Sequence, residues 1–135
     1  MTFCLLFPAM LFSQSIRSED RYGEALFYVE GNTLKSEDRY GEKLLYYEGN
    51  SIRLKNRYGE ALYFLDGNRL RHRNKYGDPI LFFDGYTIRA GNRYGEKLYF
   101  LDGATLRRKD RYGEKLYYFE GIPEKWVIAA AVLFR

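Results

Sequence analysis

The sequence of 135 residues has one cysteine, one histidine and one tryptophan, and each scarcity excludes a class of protein. Cys4 cannot form a disulfide within the chain because it has no partner. One histidine and one cysteine cannot make the ligand cluster of a zinc site. His72 occupies a position where sibling repeats have Ser, Leu, Ala or Arg, which indicates a solvent-facing residue and not a catalytic base. We therefore expect no cofactor and no metal, and predict that the protein is not an enzyme.

No apolar run is long enough to span a bilayer as a helix. Residues 1–13 are uncharged and strongly apolar. They are typical of the core of a secretory signal, with Ser13 near a cleavage site, although no Lys or Arg precedes the run. The alternative is an apolar strand that packs on the rest of the chain. The signal interpretation predicts a secreted or periplasmic protein.

Strong charge of one sign is also missing. Lys and Arg total 22 and Asp and Glu total 18, so the formal net charge is only +4. The basic residues recur evenly along the sequence, whereas nucleic-acid-binding proteins usually gather them on one face. Nucleic acid is therefore an unlikely partner.

What the sequence has in abundance is aromatic residues, at 19% of the chain, arranged in a strict repeat. The stretch RYGEKLYYFEG at 111–121 has five close relatives, and the period is 18 residues without an insertion. Each repeat carries Tyr-Gly, and the six tyrosines are Tyr22, Tyr40, Tyr58, Tyr76, Tyr94 and Tyr112. A fixed period of this kind predicts one supersecondary unit packed against copies of itself.

Each unit is predicted to be a β-hairpin. In the third repeat, the aromatic and aliphatic residues 60–65 have the length of a strand, and Asp66-Gly67 is typical of a tight turn. Residues 68–72 then alternate polar and apolar side chains, as a half-buried strand does. The chain is thus an all-β meander of about twelve strands. Near-identical units with no distinct caps favour radial closure of the six hairpins over a linear solenoid.

The two strands of a hairpin have different patterns. The first is apolar at four successive positions, so both faces are expected to be covered, and it is placed nearest the axis. The second has one apolar residue and is expected to be an outer or edge strand. These residues are Ile16, Leu34, Ile52, Leu70, Ile88 and Leu106.

The pattern Tyr-Gly-Glu-x-Leu-Tyr-Tyr-x-Asp-Gly-x-x-Ile-Arg resembles the small bacterial beta-flower repeat proteins, in which hairpins radiate from a central axis. The resemblance covers residues 15–122. It implies a secreted or periplasmic, propeller-like scaffold and no particular activity, so it assigns no functional residues. Those arrays are four- or five-fold, whereas this sequence has six strong copies.

The sequence divides into residues 1–13, a possible signal segment, residues 14–122, the hairpin repeats, and residues 123–135, an apolar tail. Pro123 and Glu124 are a common helix start, yet Val and Ile would also suit a strand, so residues 124–134 are expected to be a helix or a strand. In either form the tail is expected to dock on the repeats.

The candidate ligand-binding residues are the six tyrosines of Tyr-Gly. If their rings line one mouth of the array, they provide stacking surfaces for sugars or peptides; the alternative is that they pack between hairpins as core. The sequence thus predicts a non-catalytic envelope scaffold or protein-interaction module, whose partner is an unknown protein or glycan of the cell envelope. A glycan-binding module is the alternative. A glycoside hydrolase is a third interpretation and needs two carboxylates about 5–10 Å apart in a cleft.

Overall fold

A computed structural model describes residues 13–133, and this part of the chain forms twelve antiparallel strands closed into a barrel, with one helix. Neighbouring strands in the sequence are neighbours in the barrel. The predicted all-β architecture of repeated, radially closed hairpins is confirmed. The strands are β1 (Ser13–Ser18), β2 (Ala25–Glu30), β3 (Thr33–Ser36), β4 (Lys43–Glu48), β5 (Ser51–Leu54), β6 (Ala61–Asp66), β7 (Arg69–His72), β8 (Pro79–Asp84), β9 (Thr87–Ala90), β10 (Lys97–Asp102), β11 (Thr105–Arg108) and β12 (Lys115–Phe119), and the helix is α1 (Lys125–Leu133).

Two kinds of loop alternate along the chain, and they lie at opposite ends of the barrel. Two-residue turns close the hairpins: Asp66 pairs with Arg69, and the intervening Gly67 has a φ of 64°, the conformation that such turns require of glycine. The acid–glycine rim is formed by these two-residue turns, which are 31–32, 49–50, 67–68, 85–86 and 103–104. The tyrosine rim is formed by the longer loops that carry Tyr-Gly. These loops are 19–24, 37–42, 55–60, 73–78, 91–96 and 109–114.

A β-bulge recurs wherever one hairpin pairs with the next. Ile52 pairs with Tyr63 and Arg53 with Ala61, so Leu62 is an extra residue in its strand. The carbonyl of Leu62 instead accepts a hydrogen bond from the amide of Arg73 at 2.9 Å. The same register shift occurs at all six such junctions. Because bulges increase local twist and curvature, their regular repetition bends the sheet towards closure.

The side chains that face the lumen correct one prediction. The six apolar residues of the second strands, expected to be outer or edge elements, are only 0–1% exposed. Both strands of every hairpin lie in the same wall, and the alternation along each strand turns its single apolar residue inward. The first strands likewise face the lumen on one side, for example with Leu65, and place half-buried aromatic residues such as Phe64 on the outside.

Helix α1 fills the lumen. Its residues Trp126 to Val132 are buried on every side and belong to the same core as the inward-facing wall residues. An eight-stranded barrel is just wide enough for its own side chains to fill, so a twelve-stranded wall needs additional contents. A helix that is apolar all round suits this position. The tail, expected as a helix or a strand that docks on the repeats, is therefore a helix inside the barrel.

The barrel closes through a hairpin assembled from distant parts of the sequence. β12 supplies the first strand and β1 the second, and Ile16 pairs with Phe119 just as Leu34 pairs with Val29 in an ordinary hairpin. The side-chain amide of Gln14 donates to the carbonyl of Glu120 at 2.8 Å. β1 begins at Ser13, and residues 1–12, which hold nearly all of the predicted signal segment, lie outside the described residues.

No helix within residues 13–133 is long and apolar enough to cross a membrane.

Candidate functional site: the tyrosine rim

Each loop of the tyrosine rim is fixed by the residue before its basic residue, which is always Asp or Asn. In the third loop, the amide of Tyr58 donates to Oδ1 of Asn56 at 2.9 Å, and the amide of Gly59 donates to the carbonyl of Asn56 at 2.9 Å. Side-chain acceptors two residues upstream are typical of Asx turns. The same tyrosine bond recurs in the other five loops. Sequence reasoning missed this residue, although its Asp-or-Asn identity in every repeat was a usable signal.

A clamp on the outer wall holds each loop to the hairpin before it. Nη1 of Arg71 donates to the carbonyl of Gly77 at 3.0 Å, while Nε of the same guanidinium pairs with Asp66 at 3.2 Å. Four further arginines make the same glycine contact, and Lys35 donates instead to the carbonyl of Arg39 at 3.0 Å. The repeated charge pairs therefore lie within hairpins. They hold the rim loops in one repeated geometry.

The six candidate tyrosines project away from this framework. They are 81–87% exposed, so the alternative that they pack between hairpins as core is wrong. The physical reason is their place in the middle of a tight loop, where the backbone is satisfied by the Asx turn and the ring has no wall beside it. All six are brought to one end of the barrel because every Tyr-Gly loop joins a second strand to the next first strand.

A cation lies over one face of most of these rings. The guanidinium of Arg21 is 5.0 Å from the Tyr22 ring centroid, and that of Arg39 is 5.1 Å from Tyr40. Lys75 and Arg93 lie at 5.4 Å and 5.7 Å from Tyr76 and Tyr94. These distances are typical of cation–π contacts. Each such ring is thus oriented by its neighbour on one face and offers the other face to solvent.

The spacing of the rings follows from the barrel. Neighbouring hairpins are two strands apart, and strands are about 4.8 Å apart, so neighbouring tyrosines are separated by about 10 Å or more along the rim. The rings therefore act as separate points of contact. A partner must be extended, or broad, to contact several of them together.

A groove of about 340 Å³ lies at the opposite rim. Its lining includes Tyr86, Phe100, Ile122 and one carboxylate, Asp102, which is paired with Arg107 at 3.2 Å. A glycoside hydrolase needs two carboxylates across a cleft, and this groove supplies one that is already neutralised. Among residues 13–133, no group of three or more His, Cys, Asp and Glu side chains could hold a metal ion. His72 is exposed and makes a tilted ring contact with Tyr63.

The tyrosine that stacks on the helix, Tyr47, has a raised pKa. Tyr47 lies parallel to the indole of Trp126, with ring centroids 5.2 Å apart, and its hydroxyl donates to Asn50 at 3.2 Å. Burial, followed by the nearby Glu124 carboxylate, raises the pKa of Tyr47 above its usual 10.0. This group belongs to the packing between wall and helix, not to the tyrosine rim.

The stability of the Tyr47→Phe variant is expected to fall less at alkaline pH than that of the wild type. The pKa of Tyr47 is higher in the folded than in the unfolded state, so its contribution to stability is complete below pH 10.0 and falls as pH rises towards the folded pKa. Phenylalanine cannot ionise, so the wild-type stability should fall relative to that of the variant above pH 10.0. Urea unfolding across this range measures the difference, and curves that stay parallel would contradict the assignment.

Comparison with protein-family models, curated proteins and solved structures finds no significant match to this chain. The resemblance to beta-flower proteins therefore remains a prediction from the repeat motif.

Proposed function

We propose that the protein is a non-catalytic interaction module, a scaffold of the cell envelope whose binding face is the tyrosine rim. The observation that carries the proposal is the equivalent exposure of six tyrosines at one end of a closed barrel. Because these rings are exposed, they add nothing to the packing of the core. Tyrosine is also enriched in binding interfaces, because it provides a large contact area with a hydroxyl at its edge.

The framework under the rim favours binding without a large conformational change. The Asx turns, the glycine contacts and the clamps from five arginines and Lys35 fix the loops, so little backbone conformational entropy remains to be lost when a partner binds. Pre-organisation of this kind raises affinity without adding contacts. The envelope part of the proposal depends on residues 1–13, whose apolar character is typical of a secretory signal.

A glycan is the second candidate partner, and one observation favours it. A cation covers one face of several rings and leaves the other free, which is the arrangement needed to stack a flat, apolar sugar face on the exposed side. Arg39 and Glu42 in the same loop illustrate how donors and acceptors for sugar hydroxyls accompany each ring.

The test is binding of the purified protein to an array of bacterial and host glycans, and to envelope proteins in a pull-down. The double variant Tyr58→Ala, Tyr76→Ala should lose most of the binding, because two adjacent contact points are removed from the rim. Its stability should change by no more than about 0.5 kcal/mol, since both rings are exposed. Trp126 fluorescence reports that the barrel is intact.

The chain offers a matched control. Tyr86 is also exposed, at 69%, but belongs to the acid–glycine rim, so Tyr86→Ala should bind like the wild type. Equal binding by the wild type and the double variant would overturn the proposal. Loss of binding on Tyr86→Ala alone would move the binding face to the opposite rim.

A further inference from the structure

The charges on the tyrosine rim are divided into two sectors. Segment 18–25 has one arginine against three carboxylates, a formal charge of −2, and segment 36–43 has a charge of −1. A charge of +1 is carried by each of the next three segments, 54–61, 72–79 and 90–97. Segment 108–115 has four basic and two acidic residues, so its charge is +2. About one third of the rim is therefore acidic and the rest is basic, although the repeats are otherwise nearly equivalent.

Many of these charges are unpaired. In the described part of the chain, the carboxylates of Glu19, Glu24 and Glu37 make no ion pair, and neither do the ammonium groups of Lys109 and Lys115. All five side chains are exposed. On the outer wall, by contrast, arginines such as Arg71 are paired with acids of their own hairpin. The rim thus has free charge of both signs, in separate sectors.

We propose that the tyrosine rim binds the tyrosine rim of a second copy of this chain, to form a two-fold dimer. This inference depends on the proposed function, because it uses the same binding face. The two-fold axis lies across the rim. It passes between the first and sixth loops on one side and between the third and fourth loops on the other. It brings loop 19–24 of one copy opposite loop 109–114 of the second copy. It also brings loop 37–42 opposite loop 91–96. Negative segments then face positive ones at four of the six loop contacts.

Self-complementarity of this kind is what a two-fold interface requires, because the same patch is used by both partners. A partner of uniform charge would be attracted by one sector and repelled by the other. The dimer is expected to be salt-dependent, because exposed charges are screened within about 8 Å at physiological ionic strength.

The repeat itself shows that the charges can be exchanged without harming the fold. Glu19, Glu37, Lys55 and Lys109 occupy the same position in four repeats, all with φ between 58° and 71°. Glutamate and lysine are therefore both accepted there. Glu24 and Lys115 are exposed and make no ion pair among the described residues. The acidic-sector variant Glu19→Lys, Glu24→Lys and the basic-sector variant Lys109→Glu, Lys115→Glu are therefore expected to fold.

The experiment is sedimentation equilibrium of the purified protein at low and at high salt. The wild type should dimerise, and its association constant should fall as salt is added. Each sector variant should weaken association by about tenfold or more at low salt. The combined four-residue variant, which has the wild-type net charge, should recover dimerisation, because segment 18–25 then carries +2 and the facing segment 108–115 carries −2. Trp126 fluorescence checks that each variant remains folded.

A wild type that stays monomeric at its highest soluble concentration overturns the dimer, and so does a combined variant no better than the single-sector variants. If a monomeric protein still binds a glycan or an envelope protein through Tyr58 and Tyr76, only the dimer is wrong. If dimerisation follows the charges but every rim tyrosine can be replaced by alanine without loss of any binding, the proposed role of the tyrosines is wrong.

Discussion

Deletion of residues 123–135 is expected to abolish cooperative unfolding of the barrel. The deletion removes α1 and exposes the lumen-facing side chains of the wall, which have no other cover. Truncation of a single buried tryptophan costs about 3–5 kcal/mol, and small domains are stable by only about 5–15 kcal/mol in total. Losing Trp126 together with the buried residues 127–132 exceeds that margin. Urea titration followed by circular dichroism, with binding of a hydrophobic dye, measures the loss.

Two further measurements separate loss of the helix from an incidental effect of truncation. A synthetic peptide of residues 122–135, added to the truncated chain, should restore cooperative unfolding by entering the lumen. In the full chain, Trp126→Ala should cost about 3–5 kcal/mol, whereas Trp126→Phe keeps a ring against Tyr47 and loses the 2.7 Å bond to Glu124, at about 1 kcal/mol. A truncated chain that unfolds at the wild-type urea midpoint would show that the wall is stable when empty.

The repeat predicted the wall of the barrel well, because its signals are local. The period of 18 residues, the acid–glycine turns and the strand-length aromatic segments each determine a hairpin without reference to the rest of the chain. The pattern also predicted closure. It did not predict the direction of Leu70 and its equivalents, because alternation shows that one face of a strand is apolar but not which side of the sheet that face is on.

The contents of the barrel were harder to predict. The apolar tail indicated a buried element, but its place in the lumen depends on the width of a twelve-stranded barrel, and that width is a property of the whole ring. The closing hairpin had a clear signal in retrospect. Segment 13–18 has the second-strand pattern around Ile16, and the repeats end with a first strand at Phe119, so each end supplies what the other lacks.

The candidate site was predicted by residue but not by environment. The sequence placed a tyrosine at the same position in every repeat, and this regularity suits a symmetric core as well as a binding face. Exposure is determined by hydrogen bonds within the loop, such as that from Tyr58 to Asn56, which turn the ring away from the wall. The charge sectors of the rim arise from differences between repeats, such as Glu19 and Lys109, which the repeat pattern itself conceals.

The glycine that follows each rim tyrosine is expected to be the most sensitive single position in the wall. A Cβ on Gly59 would lie 1.7 Å from the carbonyl oxygen of Leu54 and 2.7 Å from its carbon. Both atoms are backbone, so the loop must open and give up the amide bonds from Asn56 to Leu54 and from Gly59 to Asn56. We expect Gly59→Ala to destabilise the protein by more than about 3 kcal/mol.

Gly67 in the acid–glycine rim provides the matched comparison. It has a φ of 64°, and a Cβ there would meet nothing within 4 Å, so Gly67→Ala carries only the strain of a left-handed alanine, about 1–2 kcal/mol. Urea unfolding of both variants, followed by the fluorescence of Trp126, gives the two free energies. Gly77→Ala should match Gly59→Ala, since its Cβ would lie 1.7 Å from the carbonyl oxygen of His72. Equal losses at Gly59 and Gly67 would mean that turn conformation, and not close approach of the backbone, requires glycine in both rims.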